Sequence, residues 1–146
     1  MPHNVALGLE LVDVGPGEGY ATMRLPYSPE LVGDPETGIL HGGAITALID
    51  ATCGAAVFMK LGKPLPIATL DLRIDYLKPA SAGLAVIARA ETVKVTRNVA
   101  FVRALAYHDD ATAPIASAAA TFMLGTAGRS VVERARRPGA KSGGEP

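Results

Sequence analysis

The stretch "HGGAITALIDATCGAAVFMKLG", residues 41 to 62, constrains this chain more than any other. A Gly-Gly pair opens a run that is apolar nearly all round, and Gly62 and Pro64 stand where it stops. The pattern predicts one long helix from about Gly43 to Leu61, with Gly at its C-terminal cap and Pro just beyond. A helix without a broad polar face needs cover on most sides. Ala44, Ala47, Ala51, Gly54, Ala55 and Ala56 are small and let a sheet approach closely. One flat sheet is too little cover. A strongly curved sheet wrapped around the helix would suffice, and so would a partner chain on the far side. The apolar run from Ala44 to Met59 is short for a bilayer and carries an acid, Asp50, so no membrane partner is expected.

The flanking segments supply the sheet. "LGLELVDVG", "PGEG" and "YATMRLP" read as strand, turn, strand. "YSPELVGDPETG" is a loop-rich connection with at most one helical turn. After the helix, Leu70, Leu72, Ile74 and Tyr76 alternate with Asp71, Arg73 and Asp75, the period of a half-exposed strand. "LAVIARAETVKVT", "VAFVRALAYH" and "PIASAAATFML" read as three more. Short links between consecutive strands favour antiparallel pairing. The fold class is therefore α+β: one curved antiparallel sheet and one long central helix. Residues 1–125 form this single domain. Residues 126–146 turn polar and basic and read as a mobile tail.

Bulk properties narrow the function. The 146 residues carry a formal net charge of zero, so nothing points to nucleic acid. "MPHNVALGLE" lacks the basic and apolar segments of a signal peptide, and a cytoplasmic location is the expectation. One cysteine leaves no intrachain disulfide. His3, His41 and His108 are scattered, so no metal site and no cofactor is expected. Cys53 lies three residues past Asp50, on a neighbouring helix face, and reads as a small core residue rather than a nucleophile.

Asp50 is the residue that needs explaining. Buried acids are rare unless paired, and burial disfavours the charged form. A structural hydrogen bond would account for it; so would a role as base. A Gly-Gly helix entry leaves backbone N–H groups open, which favours negative charge and can polarise a carbonyl. Gly43 and Asp50 share a face but lie about 10 Å apart along the axis at ~1.5 Å per residue. That separation is too great for both to act on one carbonyl. If they cooperate, they come from different chains, and a two-fold pairing of such helices makes two equivalent composite sites.

"GILHGG", the acid in "ALIDATCG" and the later "DYLKPA" together resemble the hotdog-fold acyl-CoA thioesterases of the phenylacetate (PaaI-like) type. The resemblance covers about Leu7 to Gly125. It implies a hotdog fold, a homodimer or homotetramer with sites at the dimer interface, and hydrolysis of an acyl-CoA substrate to free acid and coenzyme A. It implies that Asp50 is general base or nucleophile, that the Gly42 amide polarises the thioester carbonyl, that His41 orders the loop, and that Thr69 orients water. Gly43, Arg97 and Asn98 would contact substrate, the last two near the nucleotide or pantetheine. Arg73, between Asp71 and Asp75, reads as part of a solvated strand face. The tail bases Arg129, Arg134, Arg136 and Arg137 read as solvated. One position departs from the family: where some members place an Asn six residues before the histidine, this chain has Pro35, with Asp34, Glu36 and Thr37 as polar neighbours. That departure motivates a second reading, a non-catalytic hotdog protein that binds acyl-CoA or a related acyl ligand. A hotdog dehydratase or hydratase ranks last, because such chemistry usually sets a histidine beside an acid in a different motif.

Overall fold

The computed structural model describes residues 1–125. In chain order it contains α1 (Pro2–Ala6), β1 (Glu10–Gly15), β2 (Tyr20–Leu25), a single 3-10 turn (Pro29–Leu31), β3 (Val32–Asp34), β4 (Ile39–Leu40), α2 (Gly42–Leu61), β5 (Ile67–Tyr76), β6 (Val86–Val95), β7 (Val99–Tyr107) and β8 (Ala116–Leu124). The tail from residue 126, with its four arginines, lies outside the described residues. Neither α1 nor the small β3–β4 hairpin was expected from the sequence. Pro in the first turn of α1 fits a helix start, where its missing N–H costs nothing.

Six strands form one antiparallel sheet in the order β1-β2-β6-β7-β8-β5. The strand after the helix therefore crosses to the far edge and pairs with β8, leaving its other edge open. Helix α2 touches every strand of this sheet, which requires the sheet to curve around it. Ile45, Leu48, Ile49, Cys53, Ala56 and Val57 are buried against Leu25, Val86, Val102 and Phe122. Full burial of a Leu, Ile or Val side chain contributes about 2 kcal/mol, so this face fixes the helix in place. Thr52, also fully buried, donates its hydroxyl to the Leu48 carbonyl at 2.7 Å. Gly62 ends the helix at φ 62°, its N–H on the Phe58 carbonyl. By length and composition α2 would suffice to cross a membrane, contrary to the reading of the shorter apolar run; packed into the sheet, it is the core helix of the fold.

The cover is incomplete on one side. Gly43, Ala47, Asp50, Ala51, Ala55 and Phe58 recur every three or four residues and stay partly or fully exposed. Asp50 stands on this open strip and is half-buried, not enclosed as the apolar run suggested.

The alternation of β5 also breaks. Thr69 pairs with Phe122 and Asp71 with Thr121, so Leu70 is an extra residue, a β-bulge. The bulge shifts the phase of the strand. Before it, Ile67 and Thr69 face the helix; after it, Leu72, Ile74 and Tyr76 do. Leu70, read from the sequence as one of the inward row, is 52% exposed.

Candidate active site

The helix start is built by His41. Its backbone is extended (φ −61°, ψ 131°), the geometry of an N-cap, and its Nδ1 accepts the Gly43 N–H at 2.9 Å. The His41 N–H is tied to the Leu31 carbonyl at 2.8 Å. A side chain at position 43 would meet His41 Nδ1 at 2.9 Å, so this glycine makes room for the cap. Of the first three N–H groups, Gly43 is held by His41 Nδ1 and Ala44 by the His41 carbonyl at 3.0 Å. Gly42 N–H has no partner among the described residues. The open donor is thus at Gly42, while the amide of Gly43, expected to contact substrate, is already committed within the chain.

Two turns along, Thr69 donates its hydroxyl to Asp50 Oδ1 at 2.8 Å. The phase shift at Leu70 explains why plain alternation would have placed Thr69 on the outer face with Asp71. The hydroxyl's lone pairs remain to accept from water. Asp50 Oδ2 has no partner among the described residues. The carboxylate is held in place with one oxygen free.

The other candidates lie apart. Arg97 and Asn98 form the tight β6–β7 turn, closed by Thr96 and Val99, and no hydrogen bond or ion pair joins them to Asp50, Thr69 or the helix start among the described residues. Arg73 pairs with Asp75 at 3.1 Å on the solvated face, a contact worth little. Cys53 is fully buried, and burial, with Asp50 adding to it, pushes its thiol up to about 12, so the thiolate a nucleophile needs is suppressed. Pro35 sits at the tip of the β3–β4 hairpin. Its neighbour Asp34 is consumed locally: the Thr37 hydroxyl at 2.9 Å and the Glu36 amide at 3.0 Å bond its carboxylate and hold it below the usual range. No group of three His, Cys, Asp or Glu side chains among the described residues is arranged to hold a metal ion.

Two residues at the helix start were missed. Tyr76 and Thr46 donate their hydroxyls to the Gly42 carbonyl, at 2.7 and 3.0 Å. The signal was present, since Tyr76 falls in the inward phase of β5 and Thr46 lies one turn after Gly42. His108 serves the scaffold. Its Nε2 accepts the Ser81 N–H at 2.9 Å and its Nδ1 bonds the Ala85 carbonyl at 2.7 Å, pinning the β5–β6 loop to the end of β7.

A groove of about 370 Å³ opens beside the helix start, lined by Leu7, Leu31, Val32, His41, Ala44 and Ala47 among others. Asp50 does not line it. Gly42 does not line it either, so this groove does not bring the free amide and the free carboxylate oxygen together.

Residues 37–115 match the thioesterase superfamily. The medium/long-chain acyl-CoA thioesterase YigI of Salmonella typhimurium is 33% identical over 138 residues, 86% of each chain. A Halobacterium salinarum protein is 40% identical over 96 residues, which span 64% of this chain and 61% of that one. Among solved structures, a Pseudomonas aeruginosa protein superposes with a TM-score of 0.76 at 45% identity, covering 84% of this chain and 90% of its own. A mutant of the phenylacetic acid degradation protein PaaI from Thermus thermophilus gives 0.72 at 28% identity, covering 84% and 98%. Fold, motif and relatives agree: the chain belongs to the thioesterase superfamily and is a hotdog-fold thioester hydrolase of the PaaI-like type.

Proposed function

We propose that this protein hydrolyses acyl-CoA thioesters in composite sites, each made from the helix start of one chain and Asp50 of a second copy. The observation that carries the reading is the Thr69–Asp50 bond at 2.8 Å, which leaves one carboxylate oxygen free on an uncovered helix strip. The open edge of β5 lies beside that strip, and an unpaired strand edge is a template for a second strand. A copy docked there about a two-fold axis would cover the strip and bring its own Gly42 toward Asp50.

In this site the Gly42 N–H donates to the thioester carbonyl oxygen, and the positive end of α2 stabilises the oxyanion as it forms. By one route Asp50 takes a proton from water as the water oxygen attacks the carbonyl carbon. The C–S bond then breaks, and the proton returns to the departing thiolate. By the other, an Asp50 oxygen attacks first, thiolate leaves, and water cleaves the resulting anhydride. Thr69 orients the carboxylate in both. By the family resemblance, Arg97, exposed in the β6–β7 turn, would pair with a phosphate of the nucleotide end.

Free-thiol release from aryl-, short-, medium- and long-chain acyl-CoAs tests the reading. Turnover of at least one class is expected, with medium or long chains favoured by the likeness to YigI. Binding without thiol release from any of them would favour the non-catalytic acyl-CoA protein that Pro35 suggests.

A further inference from the structure

We propose that Tyr76 is a positioning residue for the reaction: its hydroxyl, together with that of Thr46, clamps the Gly42–Gly43 peptide and so aims the Gly42 N–H. The inference rests on the thioesterase reading above and adds a residue to it.

Two glycines in succession give the first turn of α2 the widest backbone freedom of any pair, and helix ends fray. Here the peptide between them is held at both ends. Its carbonyl accepts from Tyr76 Oη at 2.7 Å and Thr46 Oγ1 at 3.0 Å, and its N–H donates to His41 Nδ1 at 2.9 Å. The two hydroxyls lie 3.1 Å from each other, and with one proton each they converge as donors on the same carbonyl. The preceding peptide is held through its carbonyl, which accepts from Ala44. With both planes fixed, the one unpartnered N–H of the turn has a defined direction. Tyr76 is 48% exposed, so packing in a core does not explain where its hydroxyl points. A Cβ at position 42 would lie 3.4 Å from that hydroxyl, which shows how closely Tyr76 lies over the turn.

The same strand does the equivalent work at the acid. Thr69 and Tyr76 both lie on the inward face of β5, one bonded to Asp50 and the other to Gly42. If two copies join along the open β5 edge, each β5 fixes its own helix at both chemically active points. The register of the strand pair then sets the distance from the amide of one chain to the acid of the other.

The test is Tyr76→Phe, with Thr46→Val and Thr46→Ser alongside. Removing the Tyr76 hydroxyl is expected to lower kcat about tenfold with KM within about twofold, the signature of an interaction made in the transition state. Thermal midpoint and assembly state should match the native chain. Thr46→Val should act in the same direction and Thr46→Ser should restore activity. In ¹⁵N spectra the Gly42 and Gly43 amides should shift and exchange faster in Tyr76→Phe. Native kcat with unmoved glycine amides would overturn the proposal, and so would a kcat loss that merely follows a fall in thermal midpoint or loss of assembly. A native chain that releases no thiol would refute the thioesterase reading instead, and the glycine amides would still decide whether Tyr76 clamps the turn.

Discussion

Replacing Asp50 with Ala is expected to lower thiol release by about 10³-fold or more, because in the proposed mechanism it removes the acid that activates water or attacks the carbonyl. The fold should survive. Thr69 is the sole hydrogen-bond partner of this carboxylate among the described residues, and it sits near water. Losing one such bond costs about 1 kcal/mol. Asp50→Asn is the sharper variant. Its amide oxygen can still accept from Thr69, so shape and hydrogen bond are kept while charge and basicity are lost. Equal inactivity of the two variants, with native thermal midpoints, would assign the effect to chemistry. Native turnover in either would remove Asp50 from the reaction.

Gly42→Pro should cost about 10²- to 10³-fold in kcat, the usual effect of removing one oxyanion donor. Proline is normally a blunt substitution, but here the backbone accommodates it. Gly42 is the first residue of α2, where proline is favoured and no intrahelical bond uses the N–H. The preceding residue, His41, already has ψ 131°, the conformation a following proline demands. The variant therefore deletes a single unpartnered donor and little else. Gly42→Ala keeps the N–H and serves as the control, since its Cβ would make only ordinary contact with Tyr76. A Gly42→Pro protein that turns over like Gly42→Ala would show that the amide does not hold the carbonyl.

Much of the fold was legible because its main signals are local. The apolar run between Gly42 and Gly62 marks α2, and the strands from β5 to β8 alternate or carry β-branched and small residues between clear turns. Three features were not local. The bulge at Leu70 exists only relative to the facing residues Thr121 and Phe122, so simple alternation extended back along β5 would put Thr69 on the wrong face. Placement of β5 at the far edge depends on how the curved sheet closes around α2, which short links do not encode. The half-open setting of Asp50 depends on how much of the helix one sheet can reach. At the site, the bond from Gly43 to His41 is local, two residues apart, whereas the Tyr76 clamp joins residues 34 apart and has no short-range signature.

The composite nature of the site is tested most directly by mixing two inactive chains. Asp50→Ala and Gly42→Pro carry their lesions in different halves of the proposed site. In a hybrid two-fold dimer, one site then receives both lesions and the other receives none. After unfolding together and refolding at equal concentration, random pairing makes half the dimers hybrid, so about a quarter of native thiol release should return. A mixture that forms verified hybrids and stays as inactive as its components would contradict a site shared between chains.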